Sequence, residues 1–323
     1  MWAELAKRAF TSLAVVLIVV IMSFSLIHLA PGDPAMLMAG EAASPEYVET
    51  VRKQYGLDKP VYEQLAIYLS TLASGNLGYS ITYGRPVLIV ILERLPQTIL
   101  LVGTSILLSF AIGVILGILA AKKAYSYLDV FINTVVLIMF SIPAFWLGLM
   151  LILVFALYIP IFPVGGMIDI GISEDPFAIS LSVLHHLVLP TITLSTFFLA
   201  TYTRLTRAGM IEALGMNYVL LARAKGIPNS RILRHHVLKN ALLPLITVLA
   251  IQLGLMVGGV VFTETVFSWP GVGSLLVQAV YYRDYPLVTG IFIFTSAAVS
   301  LANFVADLVY FMIDPRIRIK VSV

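Results

Sequence analysis

Runs of apolar residues long enough to cross a lipid bilayer most constrain the fold of this chain. Of its 323 residues, 60% are hydrophobic and 11% are charged, whereas soluble domains carry roughly 25% charged residues. A helix needs about 20 apolar residues to cross the hydrocarbon layer. The sequence therefore predicts an all-α, polytopic membrane protein with six transmembrane helices. The six runs cover residues 10–30, 98–121, 130–158, 187–202, 241–262 and 287–313.

The first and fourth runs differ from the other four. Lys7 and Arg8 precede the first run, as basic residues precede the apolar core of a secretory signal. That run is roughly twice as long as a signal-peptide core, so we predict an uncleaved span. The fourth run is diluted by Pro190 and by several Ser and Thr residues, and its helix is predicted to begin within residues 180–186.

The distribution of Lys and Arg predicts the orientation of the spans. With the N-terminus in the cytoplasm, 14 of the 20 basic residues fall on the cytoplasmic side. Cytoplasmic loops of membrane proteins are enriched in Lys and Arg. We therefore predict a multi-pass protein of the cell membrane (plasma or inner) with both termini cytoplasmic. The net charge of +3 reflects this topology and does not indicate nucleic-acid binding.

Two divisions of the chain follow from this topology. Residues 1–96 hold the first span and an external segment, and residues 97–323 form a core of five further spans. In the external segment, residues 46–55 and 60–73 are predicted short amphipathic helices. Glycines then interrupt the helical pattern. The segment is too small and broken for a catalytic domain, which favours a cap or a ledge for a partner.

A basic segment between the fourth and fifth runs, residues 217–244, is here named the elbow. Gly226 and Pro228 end its first helix, and Asn229 or Ser230 is the predicted cap of its second. Apolar residues predicted to share one face of the first helix are Ile211, Leu214, Tyr218, Leu221 and Ala222. Those of the second helix are Ile232, Leu233, Val237 and Leu238. Basic residues predicted to project outward are Arg223, Lys225, Arg231 and Arg234.

Two explanations of these outward cations remain open at this point. Each of them is consistent with the general enrichment of basic residues on the cytoplasmic side. That rule does not explain a glycine turn between two short amphipathic helices. The arrangement therefore also favours a docking surface for a soluble partner.

The sequence contains no motif for nucleotide hydrolysis or catalysis. A phosphate-binding loop needs the pattern G-x-x-x-x-G-K-[ST], and Lys225 and Gly226 stand in the reverse order. The chain has no cysteine, which excludes internal disulfides and thiolate metal sites. The adjacent histidines at 185–186 and 235–236 point in different directions on a helix. We predict no catalytic, cofactor or metal site, and an energy source on another chain.

An ion-coupled secondary transporter is the alternative from a different functional class. Such proteins place ionisable residues in the middle of the membrane, and runs two to five have no Asp, Glu, Lys or Arg in their central portions. Asp307 in the last run is the exception and a candidate proton site. A helix-end acid packed against Asn303 or another span is the preferred interpretation.

The candidate pathway residues are weakly polar. Pro143 and Pro244 interrupt helical hydrogen bonding, which membranes tolerate where the backbone meets protein or water. With nearby hydroxyl and amide groups, they make Ser141, Pro143, Thr193 and Gln252 the predicted pathway residues. Helix packing through small and hydroxyl residues explains each of them equally well.

Eight short motifs, taken in order, carry a resemblance to a known family. They are Ala-Pro-Gly-Asp-Pro at 30–34, Gly-Asn-Leu-Gly-Tyr-Ser at 75–80, Glu-Arg-Leu-Pro at 93–96, Ala-Arg-Ala-Lys-Gly at 222–226, Asn-Ala-Leu-Leu-Pro at 240–244, Trp-Pro-Gly-Val-Gly at 269–273, Asp-Tyr-Pro at 284–286 and Asp-Pro-Arg-Ile-Arg at 314–318. In this order and spacing they resemble permeases of the dipeptide, oligopeptide and nickel ABC importers. The long external segment resembles the first of that family's two paralogous permeases.

This resemblance implies the type I ABC-importer transmembrane-domain fold and half of a translocation pathway for peptides. It implies four kinds of partner: a paralogous permease, two cytoplasmic ATP-binding subunits, an extracytoplasmic solute-binding protein and membrane lipid. Nucleic acid and cofactors are not among them. Nickel complexes and oligosaccharides remain alternative cargoes.

The resemblance also implies that a coupling loop, about residues 204–240, docks onto the ATPase subunits. ATP-driven closure of two ATPases would then swing the attached spans and expose a central cavity to each side in turn. The wider importer motif opens with an acid and two alanines, where this chain has Leu220, Leu221 and Ala222, and Gly226 is retained. The residues to which the resemblance gives the coupling role are Leu221, Ala222, Arg223, Ala224, Lys225, Gly226 and Ile227.

Overall fold

The structure, a computed structural model, is mostly helical. It describes residues 2–29, 33–40, 43–54, 56–172, 175–242, 244–245, 248–249, 252 and 260–313. The described elements are, in chain order, α1 (Trp2–Leu29), α2 (Pro34–Ala39), α3 (Pro45–Gln54), α4 (Val61–Ala73), β1 (Tyr79–Ser80), β2 (Arg85–Pro86), α5 (Val87–Lys122), α6 (Tyr127–Ser141), α7 (Ala144–Ile152) with a π-helical extension (Leu153–Tyr158), α8 (Pro176–Leu214), α9 (Asn217–Ala224), α10 (Asn229–Ile232) with a π-helical turn (Leu233–Val237), α11 (Leu238–Ala241), α12 (Val261–Val266), α13 (Val272–Tyr281) and α14 (Tyr285–Ile313).

The chain divides into two compact units. The first unit holds residues 1–99, 254–261 and 270–323, and the second holds residues 100–253 and 262–269. Helix α5 therefore begins in the first unit and continues into the second.

In the first unit, helix α4 packs against α1. His28 Nε2 lies 2.7 Å from Gln64 Oε1, and the rings of Phe24 and Tyr68 have centroids 5.7 Å apart. The two short helices predicted in the external segment are present as α3 and α4. Their external position remains a prediction.

The first turns of α5 form an apolar core with α13 and α14. Val87 at the start of α5 is fully buried, as are Val272 on α13 and Leu287 on α14. The two-residue strands β1 and β2 pair in antiparallel register just before α5. The short hairpin is thereby held against the end of the first unit that contains α13 and α14.

Asp284 fixes this hairpin to the start of α14. Its side chain is fully buried and accepts hydrogen bonds from Ser80 Oγ at 2.5 Å and the Thr82 backbone N–H at 2.9 Å. It also accepts from the Leu287 backbone N–H at 3.1 Å, in the first turn of the helix. Buried carboxylates require such partners, so Asp284 explains why the Gly-Asn-Leu-Gly-Tyr-Ser and Asp-Tyr-Pro motifs occur together.

In the second unit, the predicted span over residues 130–158 consists of two helices, α6 and α7, whose axes differ by 93°. The bend lies at Ile142 and Pro143. Proline disfavours helical dihedrals in the residue before it, and Ile142 is extended with φ −76° and ψ 126°. The predicted interruption of the helix at Pro143 is confirmed, because α6 ends at Ser141 and α7 begins at Ala144, as the chemistry of proline requires.

Three described helices are long and apolar enough to cross a membrane: residues 87–122, 176–214 and 285–304. The bent pair of α6 and α7 makes a fourth if it counts as one span. Helix α1 has 28 residues, of which Phe10–Ser25 is the shorter apolar part. Most of the predicted fifth span, residues 241–262, lies outside the described residues. The six-span count therefore remains a prediction.

Candidate functional site

The elbow follows the longest described helix. Helix α8 has 39 residues, or roughly 58 Å at 1.5 Å per residue, whereas the hydrocarbon layer is about 30 Å thick. Part of α8 must therefore extend beyond that layer. It ends at Leu214, and Gly215 and Met216 connect it to α9.

The turn at Gly226 has the geometry of a Schellman helix end. Gly226 has φ +72°, and its N–H donates to Arg223 O at 2.9 Å. The Ile227 N–H donates to Ala222 O at 3.2 Å. Glycine is the residue best suited to this left-handed position. The sequence prediction that Gly226 ends the first helix is confirmed.

The second helix of the elbow begins differently from the prediction. Pro228 stands at its N-cap, and no side chain caps it. The Arg231 and Ile232 N–H groups donate to Pro228 O at 2.9 and 3.1 Å. The prediction that Asn229 or Ser230 caps this helix is wrong, because the helix begins one residue earlier than the polar residues suggest.

One apolar core joins the elbow to the ends of α5 and α8. Close packing of this kind resists separation of the elbow from these two helix ends. The buried residues of this core, here named the elbow core, are Ala121, Met210, Ala213, Val219, Ala222, Ile232, Val237 and Ala241. Leu233 and Leu238 pack against it, which confirms the predicted apolar face of the second helix.

The outward face of α9 combines apolar and basic side chains. Leu220 and Leu221 are 57% and 58% exposed, and Arg223 and Lys225 are exposed beside them. Among the residues described, neither cation has a carboxylate within ion-pair distance, and the same holds for Arg231 and Arg234. An exposed apolar patch rimmed by charge is typical of an interaction surface.

The seven residues predicted for coupling divide between two faces. Ala222 is buried in the elbow core, and Ile227 packs against it. The other five are exposed: Leu221, Arg223, Ala224, Lys225 and Gly226. The prediction that Leu221 shares one apolar face with Ala222 is wrong, because the break at Gly215 and Met216 shifts the helical phase and places Val219 beside Ala222 in the core instead.

The predicted pathway residues are not gathered in one place among the described residues. Ser141 and Pro143 line a shallow apolar groove of about 570 Å³ at the bend between α6 and α7. Thr193 is fully buried, and its hydroxyl donates to Leu189 O at 2.9 Å. Gln252 accepts a hydrogen bond from the hydroxyl of Tyr202.

The histidine pairs make other contacts. His185 Nε2 lies 2.7 Å from Ile161 O, and His186 Nδ1 lies 2.9 Å from Ser182 O. The pair at 235–236 is exposed. Within the described part of the chain, no group of three His, Asp or Glu side chains is arranged to hold a metal ion. The structure does not describe the side chain of Asp307, the candidate proton site.

An ion pair between the buried Asp129 and the partly buried Arg207 was missed by the sequence prediction. Arg207 is one of the 14 basic residues predicted on the cytoplasmic side, and Asp129 has no predicted role. The two residues are 78 positions apart, so no local spacing joins them. The available signal was the position of the two charges: Asp129 lies just before the apolar run 130–158, and Arg207 lies shortly after the run 187–202.

Two family descriptions cover nearly the whole chain. Residues 113–319 match the binding-protein-dependent transport system inner membrane component, and residues 1–102 match the N-terminal part of a binding-protein-dependent transport system membrane component. The chain is therefore a multi-pass membrane component of a transport system and not an enzyme. It belongs to the family of binding-protein-dependent transport system inner membrane components.

Individual relatives cover the same extent. The chain is 40% identical to a probable D,D-dipeptide transport system permease of Escherichia coli, over 98% of this chain and 97% of that protein. It is 37% identical to an oligopeptide transport system permease of Bacillus subtilis, over 98% of this chain and 100% of that protein. It is 39% identical to a di/tripeptide transport system permease of Pseudomonas aeruginosa, over 93% and 94% respectively.

Proposed function

We propose that this chain is the permease subunit that forms half of the translocation pathway of a peptide-importing ABC transporter. The relatives named above are peptide permeases, and the similarity to them extends over at least 93% of the chain. ATP is hydrolysed by separate subunits, since the sequence has no phosphate-binding loop of the Walker type. Nickel complexes and oligosaccharides are the alternative cargoes within the same importer class.

The proposed assembly has five protein subunits. This chain pairs with a paralogous permease in the membrane, each permease contacts one cytoplasmic ATP-binding subunit, and an extracytoplasmic binding protein delivers the peptide. The family description supports the last partner, because it names transport that depends on a binding protein. The hydrophobic surface of the described spans supports a lipid environment.

In the proposed orientation, six spans place both termini in the cytoplasm and helices α2, α3 and α4 outside. The 14 basic residues on the cytoplasmic side support this orientation. Helix α1, at roughly 42 Å for its 28 residues, supplies the first span. Residues 241–262 supply the fifth.

The exposed Leu220 and Leu221 are the observation on which the coupling role depends. Side chains of this size gain roughly 1.5–3 kcal/mol each when they leave water for an apolar site. Leu220 and Leu221 lie on α9, the short helix that follows α8, and Arg223 and Lys225 are exposed beside them. Such a surface fits an apolar cleft in a soluble ATPase with acidic residues at the rim of the cleft. The cations would adjust encounter and register more than affinity.

The proposed movement begins at the elbow and extends to the spans. Because the elbow core joins α9, α10 and α11 to the ends of α5 and α8, a displacement of the elbow carries both helix ends with it. Two ATPases closing on ATP would therefore change the arrangement of the spans as rigid bodies. The groove beside Ser141 and Pro143, at the 93° bend, is the part of the described second unit that we assign to the pathway. Thr193 and Gln252 remain proposed pathway residues, and their described hydrogen bonds join them to Leu189 and Tyr202.

Single-cysteine variants of this cysteine-free chain test both the orientation and the docking surface. We expect Leu221→Cys to react with an impermeant maleimide only from the cytoplasmic side, and to be protected when the ATPase subunits are bound. Glu49→Cys, on α3, is the control and should react only from outside, with or without ATPase. Reaction of Leu221→Cys from outside contradicts the orientation, and equal reaction with and without ATPase contradicts the docking surface.

A further inference from the structure

Asp129 and Arg207 form a doubly bonded ion pair between the start of α6 and the last third of α8. Arg207 Nε donates to Asp129 Oδ1, and Arg207 Nη2 donates to Asp129 Oδ2, both at 2.6 Å. The Asp129 side chain is 3% exposed and that of Arg207 is 25% exposed. This is the geometry of the strongest charge-assisted hydrogen bonds.

The remaining capacity of the Asp129 carboxylate is also used. Asn133 Nδ2 donates to Oδ1 at 2.7 Å, and the Tyr125 backbone N–H donates to Oδ2 at 2.8 Å. Tyr125 has φ +64°, which is uncommon for a residue with a bulky side chain. Its ring centroid lies 5.8 Å from Arg207 Cζ. The ion pair therefore also fixes the turn between α5 and α6.

The position of this pair connects the elbow to the bend between α6 and α7. Arg207 lies seven residues before the end of α8, or roughly 10 Å along its axis, and three residues before Met210 of the elbow core. Asp129 lies twelve residues before Ser141, or roughly 18 Å along α6. The pair is thus a fixed link between the proposed ATPase contact and the proposed pathway.

Apolar packing also joins α6 to α8, but it does not fix one relative position of the two helices. Ile132 and Val136 of α6 pack with Leu199 and Ala200 of α8 through apolar contacts, and apolar contacts are non-directional. A bidentate arginine–carboxylate pair defines one relative position of the two helices. Replacement of both members of a largely buried ion pair by apolar residues of the same volume is often neutral or stabilising, so net stability does not explain well why this pair is present.

We propose that Asp129 and Arg207 form a strut that transmits displacement of the elbow to α6 and so couples ATP hydrolysis to peptide passage. The inference rests on the proposed function, and both are positioning residues that contact neither nucleotide nor peptide. Without the strut, only apolar contacts join α6 to α8, and α6 follows the elbow less completely than α8 does. ATP is then hydrolysed with less of the corresponding movement at Ser141 and Pro143.

The test is the ratio of peptide taken up to ATP hydrolysed in the reconstituted five-subunit importer. We expect Asp129→Asn and Arg207→Gln to lower this ratio about tenfold, within the range that coupling between sites commonly shows, while ATPase association stays normal. The double variant should be no worse than either single variant, because both remove one interaction. Arg85→Gln is the matched control, since Arg85 also forms two hydrogen bonds to a carboxylate, that of Glu93, at 2.6 and 3.0 Å.

A covalent link provides the complementary measurement. In the double variant Asp129→Cys/Arg207→Cys, a short bis-maleimide should restore the ratio, and the two single-cysteine variants should not respond. An unchanged ratio in Asp129→Asn and Arg207→Gln, or a parallel loss of assembled complex and of both activities, would overturn the strut. If the parent importer takes up no peptide with ATP, the proposed function fails instead, and the two failures are distinguishable.

Discussion

Replacement of Gly226 by glutamate is expected to reduce peptide uptake at least about tenfold while the amount of chain in the membrane stays unchanged. A side chain at φ +72° is strained by roughly 1 kcal/mol. A Cβ at Gly226 meets no atom of this chain within 4 Å, so no clash arises inside the fold. A glutamate side chain that clashes with the packed surface of the ATPase costs roughly 1–3 kcal/mol more. Each 1.4 kcal/mol or so corresponds to about a factor of ten in the affinity for the ATPase.

Two further variants separate strain from docking. Gly171→Glu is a matched control, because Gly171 is exposed, has φ +77° and also has open space around its Cβ. Arg223→Glu should have a milder effect, since an exposed ion pair contributes about 0–1 kcal/mol. Uptake and ATPase co-purification are measured for all three. Normal uptake and normal ATPase association in the Gly226 variant would contradict the coupling role of the elbow.

Replacement of Gly117 by leucine is expected to prevent the normal packing of α5 against α8. A Cβ at Gly117 would lie 2.5 Å from Thr206 Cβ and 2.7 Å from Thr203 O. Close approach of helix backbones at small residues is a main source of helix association in membranes. Overpacking costs about 1–3 kcal/mol, and occasionally more, and here the obstacle includes backbone, which cannot rotate away.

The measurements are the amount of folded chain in the membrane and the Tm in detergent. Gly117→Ala should show a smaller decrease than Gly117→Leu, because it adds only the Cβ. Ile115→Phe is the control, since Ile115 lies on the same helix with 58% of its surface exposed. Equal Tm values for Gly117→Leu and the parent chain would show that α5 and α8 do not pack as described.

The extent of the helices was predicted from sequence only where they are apolar. The apolar run predicted residues 187–202 with a helix start within 180–186, whereas α8 runs from Pro176 to Leu214. The predicted start is therefore too late in the chain. The beginning of α8 is set by Asp175, whose carboxylate accepts from the Ala178 N–H, and by the favourable position of Pro176 in the first turn. These are local signals that a search for apolar runs does not weigh.

The division of the elbow into two helices was predicted correctly because the residues that end the first helix lie within a few positions of the turn. Gly226 ends the first helix as predicted, and Val237 takes its predicted buried place. The buried residue of α9 is Val219, whereas Leu221 is exposed. The prediction for Leu221 failed because it assumed one continuous helical period across residues 215–216, where the helix is broken. The exposure of Leu221 beside Arg223 and Lys225 favours a docking surface on α9.

The Asp129–Arg207 pair lay beyond sequence reasoning for a physical reason. Charges at the ends of apolar runs have many potential partners, and only the packing of α6 against α8 selects this one. The pathway residues have the same difficulty to a greater degree. A translocation cavity between two permeases is defined by surfaces of both chains, so one sequence specifies only half of it.

ATP-dependent uptake of a labelled dipeptide by the reconstituted importer tests the central claim most directly. The vesicles contain this chain, its paralogous permease, the two ATPase subunits and the binding protein, and matched vesicles lack this chain. The same vesicles are also assayed for uptake of a nickel complex and of an oligosaccharide in place of the peptide, which distinguishes the three cargoes. We predict peptide uptake that requires ATP and this chain and that persists in the presence of a protonophore. Uptake that proceeds without ATP and stops with the protonophore would contradict the account.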